Sequence, residues 1–180
     1  MPIEMTSIAT NYRQRGPAPR NSDWTDDWQT PPEIIEPLGR FDLDPSASLH
    51  QIHRTARTMW TITDQGFLRQ WFGRVWLNPP YGKHTSEWMR RLSEHGNGIA
   101  LVYLRSDTVW FQTYVFPIAH ALFFFKGRLA FIRPDGQRPI HNAGGPSVLI
   151  AYGAYNALLL KSCGLPGKYV ALKKLTGLVG

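Results

Sequence analysis

Short apolar runs broken by proline and glycine set the pattern of this chain. Gly98 to Leu104 and Ser147 to Tyr152 are almost wholly apolar over the length of a strand, as strands buried on both faces are. Ala121 to Phe125 is a third such run, and Arg128 to Ile132 either continues it or pairs back on it. Phe41 to Pro45 reads as the first core strand and Thr58 to Thr63 as a second. Helix signals fall between them. Thr30 is a candidate cap, Pro31 suits a first helical position and Glu33 completes a capping box, with Ile34, Ile35 and Leu38 as the apolar face. A second helix is predicted from Thr85 or Ser86 through Glu94, with Trp88 and Leu92 on one side and Gly96 just past its end. Asp107 caps a third over Val109–Val115. From Ala154 the chain is apolar with scattered lysines and signals no clear element. Strands alternating with helices predict an α/β fold. The expected sheet is mixed and mostly parallel, with helices on both faces and an antiparallel C-terminal edge.

The most informative run is Arg74-Val75-Trp76-Leu77-Asn78-Pro79-Pro80-Tyr81-Gly82. An apolar strand stops at an amide, two prolines and an aromatic. Neither proline can donate to a ladder, so the strand ends there. Asn78 and Tyr81 are thereby set just past a strand's carboxyl end, the rim where open α/β sheets bind ligands. Such a corner suits chemistry on a planar amine. The Asn78 side-chain oxygen and the Pro79 carbonyl can both accept hydrogens from an exocyclic NH₂, and this draws its delocalised nitrogen towards a tetrahedral geometry. Pro79 and Pro80 stiffen the loop. The Tyr81 ring can stack on a base turned out of a duplex, worth roughly 1–3 kcal/mol. The same tetrapeptide also occurs as a plain rigid loop after a strand.

Charge adds a partner. The formal net charge is +7, and residues 109–180 carry the whole excess, eight Lys/Arg against Asp135 alone. A basic half beside a neutral one suggests a polyanion surface. Met1 to Arg20 has no apolar signal core, and no run approaches membrane-spanning length. The single cysteine, Cys163, allows no internal disulfide and no cysteine-based zinc site. His50 and His53 stand three apart without a second ligand pair, so no metal is expected. A soluble protein of the cytoplasm is the expectation. The chain divides into an arm over 1–22, basic and proline-containing, a main domain over 23–155, and a basic tail over 156–180 packed on the domain or extending from it.

Asn78-Pro79-Pro80-Tyr81 matches the [D/N]-P-P-Y motif of amino-methyltransferases that use S-adenosylmethionine. With it stand Asp27-Trp28-Gln29-Thr30-Pro31, Phe41-Asp42-Leu43-Asp44-Pro45-Ser46-Ala47-Ser48, Asp64-Gln65-Gly66-Phe67-Leu68, Trp71, Gly127-Arg128-Leu129-Ala130-Phe131 and Gly145-Pro146-Ser147. In this order and spacing the chain resembles the phage DNA N-6-adenine methyltransferase (Dam-like) family over about residues 26–153. The resemblance implies a Rossmann-like class I methyltransferase fold and S-adenosyl-L-methionine as cofactor. It implies double-stranded DNA as partner and, for a phage-encoded protein, the bacterial host cytoplasm. It assigns Asn78, Pro79, Pro80 and Tyr81 to the target adenine. It assigns Thr30, Pro31, Asp44, Pro45 and Asp64 to the cofactor. Two departures stand out. The glycine-rich turn of such enzymes is here Ser46-Ala47-Ser48, and no clear acidic residue after the second strand is placed to hold the ribose hydroxyls, a role left to Asp42 or Asp64. The tetrapeptide alone serves cytosine N4 and protein glutamine equally well, and the glycine-poor turn leaves a catalytically inactive DNA-binding relative open.

Overall fold

The computed structural model describes residues 28–138 and 144–174. The expected arm over 1–22 and Asp27 of the motif set lie outside the described residues. Among the described residues, seven strands form one mixed sheet. They are β1 (Leu43–Asp44), β2 (Thr58–Met59), β3 (Val75–Leu77), β4 (Gly98–Tyr103), β5 (Ala121–Phe125), β6 (Ser147–Tyr152) and β7 (Gly167–Ala171), in the spatial order β2-β1-β3-β4-β6-β5-β7. The pairings β2–β1, β1–β3 and β3–β4 are parallel, and β4–β6, β6–β5 and β5–β7 antiparallel. Because β6 is antiparallel to both of its neighbours, β5 runs the same way as β1 to β4. The antiparallel part is thus broader than an edge, although five of the seven strands share one direction.

Alternation along each strand splits the core into two layers. Val75, Leu77, Ala100, Val102, Leu122, Val148 and Ile150 face one side, where α2 (Thr85–His95) lays Trp88, Met89 and Leu92 and α3 (Val109–Tyr114) lays Phe111. Trp76, Ile99, Leu101, Ala121, Phe123, Leu149 and Ala151 face the other, against Ile35 of α1 (Pro32–Ile35), Leu38, and Ala157 and Leu160 of α4 (Ala154–Ser162). Helices therefore cover both faces. The apolar stretch after Ala154, which carries no legible sequence signal, supplies α4 and the edge strand β7. Arg128 to Ile132 forms no strand; among the described residues its sheet-like contact is a bridge from Ile132 back to Gln29.

The amino-terminal end of the central strands is locked by buried polar groups. Asp42 accepts the Arg74 backbone N–H at 2.8 Å. Gly73 packs so closely on that carboxylate that a Cβ there would stand 2.4 Å from it. The Arg74 guanidinium lies 4.0 Å over the Phe41 ring, donates to the Arg40 carbonyl at 2.9 Å, and donates to Asn156 Oδ1 at 2.5 Å. Burial lowers its pKa to about 10, which leaves it charged at neutral pH. Asn156 is fully buried and also donates to the Tyr152 carbonyl and to Asn97 Oδ1. One amide thus joins α4, β6 and the segment before β4 to the arginine. Replacing Asn156 by Ala leaves that arginine short of an acceptor in the interior. The expected result is a loss of about 2–3 kcal/mol in unfolding free energy, read from urea melts.

Candidate functional site

At the other end of the strands the chain leaves β1 for the edge strand β2 and returns to β3 on the opposite side of β1. The loops leaving the carboxyl ends of β1 and β3 therefore diverge, and such a switch point opens a crevice. A cavity of about 490 Å³ lies there. This is within the range of small-molecule sites, roughly 300–1,000 Å³. One wall is Asp44 to Gln51 after β1, another is Asn78 to Tyr81 after β3, and Thr30 and Gln65–Leu68 close the sides.

The turn after β1 is built around Asp44, which is 3% exposed. Its carboxylate accepts the Ser46 N–H at 3.0 Å and the Thr55 hydroxyl. Burial outweighs those two bonds and pushes its pKa up to about 6. Ser46 then crosses to the second wall, its hydroxyl donating to the Asn78 carbonyl at 3.1 Å. Pro45 packs beneath Gly66: a Cβ on Gly66 would stand 2.2 Å from the Pro45 carbonyl oxygen, so only glycine fits that approach. Phe67 and Trp88 form the apolar floor, edge to face at 5.0 Å, with Trp71 stacked behind Trp88.

The Asn-Pro-Pro-Tyr loop is held at four points. Asn78 Nδ2 donates to the Trp28 carbonyl at 3.2 Å, the Asn78 carbonyl takes Ser46, and the Pro80 carbonyl takes the Thr85 hydroxyl at 3.2 Å. Tyr81 stacks on Tyr103 with ring centroids 4.4 Å apart and planes 24° apart. Burial, with Tyr103 beside it, holds the Tyr81 phenol well above its ordinary pKa, so it stays neutral. Several buried polar atoms of the cavity lining have no hydrogen-bond partner among the described residues: Thr30 Oγ1, Gln51 Nε2, Asn78 Oδ1, Tyr81 Oη and His84 Nε2. Buried polar groups are nearly always satisfied, so a cluster of open ones marks where a ligand's polar atoms belong.

Of the sequence-predicted site residues, the structure brings together Thr30, Asp44, Pro45, Asn78, Pro79, Pro80 and Tyr81 around the cavity. It does not bring Pro31, Asp42 or Asp64 there. Pro31 caps α1 and gives its carbonyl to Ile34. Thr30, expected to cap that helix, makes no capping bond and instead lines the cavity. Asp42 is spent on the Arg74 backbone at the amino-terminal end of the strands. Asp64 closes a capping box with Thr61, whose bonds lower its pKa, while Thr61 and Gln65 on either side reach the lining. Sequence reading missed Ser46 as a bridge between the walls, Tyr103 behind Tyr81, and the Trp28 carbonyl. Tyr103 could have been flagged as the last residue of an apolar strand; a backbone carbonyl leaves no trace in a sequence. Among the described residues no cluster of three or more His, Cys, Asp or Glu could hold a metal, and no helix is long and apolar enough to cross a membrane.

The family model described as DNA N-6-adenine-methyltransferase (Dam) matches residues 19–168, most of the chain, and the chain belongs to that family. No curated protein and no solved structure matches it. The protein is thus an enzyme that methylates adenine N6 in DNA.

Asp44 makes the stability of the unliganded protein depend on pH with a defined sign. Its folded pKa, about 6, lies above the ordinary aspartate value of 3.8, so the folded state holds its proton more tightly than the unfolded chain does. Stability should rise as pH falls through about 6 towards 4, by an amount on the order of 2–3 kcal/mol. Thermal melts at pH 7 and pH 5 check this: the rise in Tm is expected in the wild type and should be missing in Asp44→Asn.

Proposed function

We propose that the cavity holds S-adenosylmethionine against the β1 turn and a flipped-out adenine against Asn78-Pro79-Pro80-Tyr81, so that methyl transfer to N6 occurs at the crevice between β1 and β3. The observation that carries this reading is the Asn78 amide. Its nitrogen is committed to the Trp28 carbonyl, and its oxygen is buried on the cavity wall with no hydrogen-bond partner among the described residues. A buried open acceptor calls for a donor, and the N6 amine of adenine is one. The strand order, with β6 inserted antiparallel beside β4, supports a Rossmann-like methyltransferase fold.

The residues present fit the cofactor. Asp44 offers a carboxylate to a cationic ligand, which would favour its ionised form. Thr30 Oγ1 and Gln51 Nε2 are open polar atoms, and Phe67 and Trp88 give an apolar floor. S-adenosylmethionine, when bound, supplies a methyl group already activated on a sulfonium sulfur. The chain's task is then positioning and polarisation. Asn78 Oδ1 accepts one N6 hydrogen. Ser46 and Thr85 occupy the carbonyls of Asn78 and Pro80, which leaves the second hydrogen to the Pro79 carbonyl. The N6 nitrogen would gain the methyl group as the methyl–sulfur bond breaks, leaving a neutral thioether, and would release one proton to solvent. Tyr81 stacks the base on the ring face not covered by Tyr103.

Double-stranded DNA would lie along the carboxyl-end rim. Since β5 runs the same way as β3, its outgoing residues Lys126 and Arg128 come to that rim, and antiparallel β7 begins there with Lys168 beside Phe124. Lys173 lies at the opposite end, donating to the Ile118 carbonyl.

Two measurements test this reading. Nucleoside mass spectrometry of duplex DNA treated with enzyme and S-adenosylmethionine should show N6-methyladenine. Asn78→Ala should lower the rate about 100-fold or more; a full rate in that variant would remove Asn78 from the chemistry. For DNA affinity, Lys126→Ala and Lys168→Ala should each weaken binding and reduce the slope of log K against log salt by about one. Lys173→Ala should leave that slope unchanged.

A further inference from the structure

The orientation of the Asn78 amide is set by a single peptide plane, that between Trp28 and Gln29. Gln29 forms a two-bond bridge with Ile132: its N–H donates to the Ile132 carbonyl at 2.9 Å, and its carbonyl accepts the Ile132 N–H at 2.9 Å. In a trans peptide the N–H and the preceding C=O point to opposite sides. Holding the Gln29 N–H on Ile132 therefore aims the Trp28 carbonyl the other way, where it meets Asn78 Nδ2 at 3.2 Å. The Gln29 side chain pins the same segment from a third direction. It is 1% exposed, donates to the His50 carbonyl at 2.7 Å and accepts the Ile52 N–H at 3.0 Å.

An amide has one end that donates and one that accepts, and only the accepting end can take a hydrogen from an amine. A carbonyl only accepts, so the neighbour at 3.2 Å must be the amide nitrogen, and Oδ1 is left to the cavity. We infer that the Trp28–Gln29 peptide, clamped by Ile132, is the positioning group of the active site: it selects which end of the Asn78 side chain meets the target amine. This rests on the role given above to Asn78. It predicts that a symmetric carboxylate cannot stand in for the amide here. An ionised Asp at position 78 would set an oxygen against the Trp28 carbonyl with no proton between them. A protonated Asp would restore the pattern, its O–H donating to Trp28 and its C=O facing the base.

The test is the pH profile of Asn78→Asp between pH 5 and 8, taken as the ratio of its single-turnover methylation rate to that of the wild type at each pH. Asp44 and His50 on one wall and Tyr81, Lys83 and His84 on the other are the ionisable groups sharing the cavity with position 78. Both proteins carry all five, so their shared titration is removed by the ratio. The expected ratio is about 0.1 or lower at pH 8, from one unmade buried hydrogen bond, and it climbs as pH falls. Protonation of Asp44 also firms the fold at lower pH, so circular dichroism of both proteins is read at each pH: a climb in the ratio while the variant's spectrum stays that of the wild type distinguishes orientation from damage. A ratio near one at every pH, with Asn78→Ala inactive, overturns the inference while leaving Asn78 in the chemistry. A ratio that stays low throughout also overturns it. Full rates in both Asn78→Asp and Asn78→Ala would instead sink the role of Asn78 itself.

Discussion

A β-ladder cannot continue through two prolines, and the corner that walls the cavity of this protein depends on that. β3 ends at Leu77 because Pro79 and Pro80 have no N–H to give. The chain must lift out of the sheet there, at the one place where its neighbour β1 sends its own loop the other way. The carbonyls freed by the broken ladder are then collected by side chains from elsewhere, Ser46 on Asn78 and Thr85 on Pro80. The same interruption that stops a strand thus builds a rigid loop with an acceptor facing a cavity.

The two ends of the sheet treat polar groups in opposite ways. At the amino-terminal end, Asp42, Arg74 and Asn156 pair with one another and with backbone, and the strands are locked together there. At the carboxyl end, Thr30, Gln51, Asn78 and Tyr81 keep buried polar atoms open, and Asp44 carries a carboxyl that burial pushes towards its neutral form. Unmade hydrogen bonds in a buried place destabilise the unliganded protein. A ligand that makes them recovers that free energy on binding. The paired end supplies the rigidity that keeps the open end in shape.

Much of this was legible before any tertiary structure. The apolar runs at 98–104, 121–125 and 147–152 became β4, β5 and β6 because strands buried on both faces need no polar alternation. The segments that stayed obscure are those whose conformation is decided at a distance. β7 pairs across to β5 and carries little apolar pattern of its own, with Lys168 and Val170 both exposed. Thr30 bears every local mark of a helix cap, yet its hydroxyl lines the cavity instead. Asp42 and Asp64 are acidic residues near strand and helix ends, and nothing local tells a ligand's partner from a partner of the backbone.

The sequence by itself determined the α/β class, the stopping point of β3 and the chemical types at the corner. Each follows from properties of adjacent residues: periodicity, missing N–H groups, side-chain donors and acceptors. Tertiary structure decided which of those residues meet. It put the Asp44 turn beside Asn78, brought Tyr103 behind Tyr81, and aimed the Trp28 carbonyl at the Asn78 amide through a bridge to Ile132. Local pattern can say that an amide stands at a strand's end. Only a contact between residues 50 positions apart says which end of that amide is left facing the cavity.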